Sequence, residues 1–172
     1  MTDDRPLAPY TGDERAVLAG FLDFHRATLR QKIAGLDAEQ LARTLPPSDL
    51  TLGGMVKHLA FVEDWWFGAV LLGVQGEPWA SVDWDADEDW DWHSAADDDP
   101  EQLWRLWDET VARSDEAVRA SESLDRLAER RTQRTDQQIS LRWILVHMIE
   151  EYARHNGHAD LIRQSIDGAV GQ

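Results

Sequence analysis

The chain of 172 residues contains no cysteine. That absence excludes disulfides, thiolate nucleophiles and cysteine-ligated zinc sites, so any metal must be held by imidazole and carboxylate. Any thiol chemistry must use a thiol that arrives with a substrate. Positive charge is scarce as well: 17 basic residues stand against 33 acidic ones, a formal charge of −16. Such a field repels nucleic acid and anionic membrane surfaces unless a basic patch is segregated from it. The densest basic cluster, Arg130, Arg131 and Arg134, is flanked by acids, so neither nucleic acid nor membrane is an expected partner. No stretch approaches the roughly 20 uninterrupted apolar residues that a membrane span needs. Met1 to Tyr10 carries acids and two prolines where a signal peptide would need an apolar run. The expected location is therefore the cytoplasm.

What is present is enough apolar material, 42%, to build one core, and the length fits a single domain over residues 1–172. Four segments show helical periodicity, and no period-2 strand stands out. The first runs from about Asp13 to Leu36, with Val17, Phe21, Phe24 and Thr28 on one side and Leu18, Leu22, Leu29 and Ile33 widening the stripe. The second follows Pro46-Pro47-Ser48, with Thr51 as its N-cap, and stops at Gly73. Asp99-Pro100-Glu101 signals the third, an N-cap with proline at the first helical position, which continues to about Ser121. The fourth starts near Ser140, passes Trp143 and Ile166, and stops at Gly168. A long connection, residues 73–98, joins the second and third helices and holds Trp79, Trp84, Trp90 and Trp92 among many aspartates. Connections of that length are commonly functional or crossover segments, and a crossover lets two consecutive helices of a four-helix bundle run parallel. Four rings in so acidic a stretch are expected to pack back onto the helices or onto a second subunit, leaving the aspartates outside.

His147, Glu151, His155 and His158 are spaced by fours and threes, which keeps them in one stripe of the fourth helix. Ile144, Met148 and Ile162 share that stripe and mark it as the buried face, so Glu151 points inward and Glu150 outward. A carboxylate among Ile and Met must be paired or metal-bound. Either it pairs with Arg or His from a neighbouring helix, or Glu151 and His155 bind a cation across one helical turn. On the second helix, His58 projects with Val62, Trp65 and Ala69, while Lys57 and Asp64 are expected to point away. A core histidine can be simple hydrogen-bonded packing or a third ligand. If the second and fourth helices are antiparallel, His58, Glu151 and His155 fall at nearly one level, a two-histidine, one-carboxylate set with open coordination positions.

Thr51-Leu52-Gly53-Gly54-Met55-Val56-Lys57-His58-Leu59-Ala60, with Glu63 and Trp66-Phe67, resembles the second-helix motif of the DinB/YfiT-like superfamily. Leu141-Arg142-Trp143, then His147 through Asp160, resembles its fourth-helix motif. Phe21-Leu22-Asp23 with Arg26-Ala27-Thr28-Leu29 resembles the first helix of the group that holds the mini-circle protein, the mycothiol-dependent transferases and the maleylpyruvate isomerases. The resemblance covers the chain except the Trp/Asp-rich loop. It implies an all-α, up-down-down-up four-helix bundle, metal ligands at His58, Glu151 and His155, and a homodimer. Many relatives use three histidines; here Glu151 stands at one of the positions, as in the isomerase branch. His158 falls one turn beyond His155 and is a candidate to replace or orient a ligand, His147 a candidate for packing or support, and His25 a candidate pocket residue. His93 lies among aspartates in a loop and is expected to be solvated.

A metal with open positions can turn a bound thiol or water into a nucleophile near neutral pH. The reading that follows is a metal-dependent enzyme that activates a low-molecular-weight thiol such as mycothiol for S-transfer to, or isomerisation of, a small electrophile. The ion is expected to be zinc, with nickel or another first-row ion as the alternative. Metal-dependent hydrolysis, and metal or ligand binding without turnover, remain rival readings. Thiol transfer calls for a pocket that accepts a hydrophilic, sugar-bearing thiol.

Overall fold

Aspartate side chains cap the starts of three helices. In the computed structural model, which describes residues 5–132 and 136–170, helix α1 spans Glu14–Ile33 and opens on Asp13, whose side chain accepts from the Ala16 N–H. A one-turn helix, α2 (Ala38–Leu41), is closed by a capping box in which Asp37 and Gln40 satisfy each other's backbone N–H groups. Helix α3 covers Leu52–Glu63 and runs on as a π-helical segment, Asp64–Val70. Within the long connection lies α4 (Trp90–His93), and after it come α5 (Pro100–Ala120), strands β1 (Leu127–Arg131) and β2 (Gln138–Ser140), and α6 (Leu141–Asp167). Arg134 of the basic cluster and the first four residues of the acidic N-terminal stretch lie outside the described residues. Among those that are described, no helix is long and apolar enough to cross a membrane.

The helical expectation holds for the main elements, and the all-α description needs one correction. Strands β1 and β2 pair antiparallel, Leu127 opposite Ser140 and Arg131 opposite Gln138. The physical reason this hairpin escaped notice is its burial: of β1 only Ala128 is inside. A strand announces itself by alternation when one face is buried, and Leu-Ala-Glu-Arg-Arg has no such face.

The chain divides into two compact units, Met1–Leu52 with Leu145–Gln172, and Gly53–Ile144. In the first, α1 buries Leu22, Arg26, Leu29, Lys32 and Ile33, a stripe that leaves the expected Phe21 nearly half exposed at 47%. The later part of α6 is tied to α1 by polar contacts. Asn156 Nδ2 donates to the His25 carbonyl at 2.9 Å, Arg163 Nη1 donates to the carbonyls of Lys32 and Ala34, and Lys32 Nζ lies 2.6 Å from Asp160. These bonds fix which face of α6 turns inward, the face carrying Met148, Tyr152, His155, Ala159 and Ile162.

In the second unit, α3 is buried on nearly every side. Met55, Val56, Leu59 and Ala60 are covered, and so are Lys57 and Asp64, each only 4% exposed. The expectation that those two charges point to solvent is therefore corrected. The chain folds back and supplies partners: Lys57 Nζ reaches Asp98 at 2.5 Å and lies over the Trp90 ring, while Asp64 accepts from the Gly76 N–H and faces Arg113. Helix α5 starts with Pro100 at its first position and a capping box between Asp99 and Gln102. β1 is held to the end of the π-helical segment by the Glu129 N–H donating to the Leu71 carbonyl.

Candidate metal centre

Two sets of ligating side chains are built separately, one in each unit. On α6, a step of four residues brings Glu151 and His155 to the same side of the helix. His155 is buried at 7%, and its Nε2 lies 3.5 Å from Glu151 Oε2. Glu151 is the half-buried acid of the pair of neighbours; Glu150 is 62% exposed and faces Arg154. His147, one turn earlier, sets its Nε2 3.4 Å from the other oxygen of Glu151, so the expectation of a supporting role has a geometric basis. Glu151 is thus bracketed by two imidazoles on its own helix. His158 crosses His155 edge to face at 5.6 Å. Burial, then the positive potential of His155 and Arg154, lowers its pKa below the ordinary imidazole value, which favours a neutral ring. His25 is likewise held below that value, chiefly by burial and then by Arg5.

His58 is placed on α3 by the other unit. Its Nδ1 lies 2.6 Å from Asp91 Oδ2, and the carboxylate is 3% exposed. The Trp92 ring stacks on the imidazole with centroids 4.4 Å apart and planes 22° from parallel. Both contacts come from α4, inside the long connection.

The tryptophans explain how α4 is held there. Trp79 is 1% exposed and packs on Phe61 of α3 at 5.4 Å. Trp84 lies on the same Phe61 at 4.6 Å, and Trp90 meets both Trp79 and Trp84 edge-on. Residues 73–98 therefore pack onto α3, as the density of rings suggested, but one aspartate, Asp91, goes inside with them. His93 stays 66% exposed beside Asp87. Sequence reasoning missed Asp91 because it stands in a run of similar aspartates; its position between Trp90 and Trp92 was the available signal. Beside α4, a groove of about 470 Å³ is lined by Lys57, Trp90, Ser94, Asp97, Asp98 and Gln102. Pro78 and Leu106 complete its lining, and Lys57 is paired there with Asp98.

The donors fit a borderline divalent ion: two imidazoles and one carboxylate, with no soft sulfur. Among known proteins, the Mycothiol-S-transferase family model matches residues 17–168. A solved structure from Enterococcus faecalis, described as a conserved protein, superposes with a TM-score of 0.68 at 18% identity, over 92% of this chain and 100% of that one. It shows a shared fold. No curated protein matches the sequence.

Proposed function

Since the chain belongs to the Mycothiol-S-transferase family, we propose that it is a metal-dependent transferase that joins a low-molecular-weight thiol, mycothiol or one like it, to a small electrophile. The observation that carries this reading is the ligand set. His58 on α3 and Glu151 with His155 on α6 offer two imidazoles and one carboxylate, the donor types that hold a divalent ion. When bound, a divalent ion there supplies Lewis acidity that makes a thiol nucleophilic near neutral pH. The chain, having no cysteine, contributes no thiol of its own. Its residues do the holding: Glu151 contributes the negative charge that favours a dication, and His155 and His58 contribute neutral nitrogen donors. The groove beside Lys57 and Trp90 receives the hydrophilic part of the thiol.

The finer features follow from the same reading. The ion is zinc, which suits a histidine and carboxylate set with open positions, and nickel or another first-row ion is the substitute. The helices form one up-down-down-up four-helix bundle over residues 1–172, with 73–98 as its crossover. The protein acts in the cytoplasm as a homodimer, an arrangement favoured by apolar side chains such as Val146 and Leu161 that α6 leaves exposed.

The test is turnover. Metal-loaded protein, given mycothiol and other cellular thiols with a chromogenic electrophile, should accelerate thioether formation above the uncatalysed rate, and a chelator should remove the acceleration. No acceleration with any thiol of the panel would overturn the transferase reading and favour hydrolysis or binding alone.

A further inference from the structure

Resting on that reading of the metal ligands, we propose that Asp91 is the positioning residue of His58, fixing its ring so that Nδ1 carries the proton and Nε2 is the donor.

A neutral histidine has one N–H and one lone-pair nitrogen, and the hydrogen bond made by one nitrogen decides the role of the other. A carboxylate oxygen 2.6 Å from Nδ1 accepts a hydrogen bond from that N–H, which leaves the lone pair at Nε2. The 2.6 Å separation also marks a strong, charge-assisted bond. Hydrogen bonding to one edge still leaves a ring free to tilt. Trp92 removes that freedom by lying nearly parallel to it. Two consecutive residues of α4 thus grip His58 by its edge and by its face.

The surroundings of α4 explain why the grip is firm. Successive residues of a helical turn project about 100° apart, so Trp90 can enter the tryptophan cluster while Asp91 and Trp92 face His58. Trp90 is fastened by Trp79, by Trp84 and by the Lys57 ammonium 4.3 Å above its ring. The Ser94 hydroxyl closes the turn on the Trp90 carbonyl. Burying a carboxylate to 3% exposure is costly unless its partner returns the cost. An imidazole whose other nitrogen donates to a cation is such a partner, because the carboxylate strengthens that nitrogen as a ligand. The long connection then has a defined task. It carries one carboxylate to the back of a metal ligand and packs tryptophans around it to hold it there.

The experiment uses the full chain with Asp91→Asn, which keeps the shape and loses the charge, and Asp91→Leu, which also loses the acceptor. Nitrogen-15 NMR of the metal-free wild type should show His58 protonated at Nδ1, and Asp91→Leu should shift it toward a mixture of tautomers. Competition with a chromogenic chelator should show zinc affinity falling about tenfold in Asp91→Asn and up to about a hundredfold in Asp91→Leu, the range that outer partners of ligating histidines typically command. A purely structural aspartate would lower the melting temperature of both variants and leave the tautomer and zinc affinity of the folded protein unchanged; that result overturns the proposal. Should Asp91→Leu fail to fold, Asp91→Asn with wild-type zinc affinity overturns it alone. A wild type that takes up no zinc would instead refute the metal reading, and the tautomer measurement would still decide whether Asp91 orients the ring.

Discussion

Trp92 lies face to face with His58, ring centroids 4.4 Å apart, so an indole sits in van der Waals contact with a proposed metal ligand. A cation arriving at that imidazole changes the field felt by the indole. Titration with zinc should therefore change tryptophan emission and saturate at one equivalent. Trp92→Phe should remove most of the change, whereas Trp104→Phe, on α5 beside Trp107, should leave it intact. A metal-dependent signal that survives in full without Trp92 would place the binding elsewhere.

Trp79 is the post on which the long connection stands. It is buried at 1% and touches both Phe61 and Trp90. Trp79→Ala should cost about 3–5 kcal/mol, as large-to-small changes of core aromatics do, and Trp84→Ala, whose ring is half-buried, should cost less. Deleting residues 82–91 should also lower the melting temperature. Urea unfolding checks the point substitutions, and a Trp79→Ala midpoint equal to that of the wild type would contradict the packing described.

Asp64 gives a pH dependence with a definite sign. Burial raises its pKa above the ordinary carboxylate value, although the Gly76 N–H and Arg113 pull the other way. The folded chain therefore holds this proton more tightly than the unfolded chain does. The associated stability is fully present below the unfolded pKa and is lost as pH rises through the folded one. Asp64→Asn keeps an acceptor for Gly76 and does not titrate. Relative to wild type, the variant should become progressively more stable from acid to neutral pH. Melting curves across that range would contradict this if the difference stayed constant or ran the other way.

Much of this was readable locally. Asp99 with Pro100, Gly73 and Gly168 mark helix ends by capping chemistry that acts over a few residues, and both glycines adopt the positive φ that favours them. The inward side of Glu151 and the outward side of Glu150 followed from the period of one helix. What was not legible depends on what covers an element from outside. Lys57 and Asp64 read as surface charges because nothing in α3 itself tells that residues 73–98 and Arg113 return to pair with them. Asp91 was hidden for the same reason: its role is set by the rings on either side and by a histidine 33 positions away. The hairpin of β1 and β2 has no buried stripe to betray it.

The most direct measurement is zinc content and affinity of purified wild type beside four variants. Wild type should bind one equivalent. His58→Ala and His155→Ala should abolish stoichiometric binding, since each removes a nitrogen donor, and Glu151→Gln should weaken it because an amide supplies no charge. Glu150→Ala, on the exposed side of the same helix, should bind as wild type does. A folded His58→Ala protein that kept full zinc affinity at neutral pH would contradict the account.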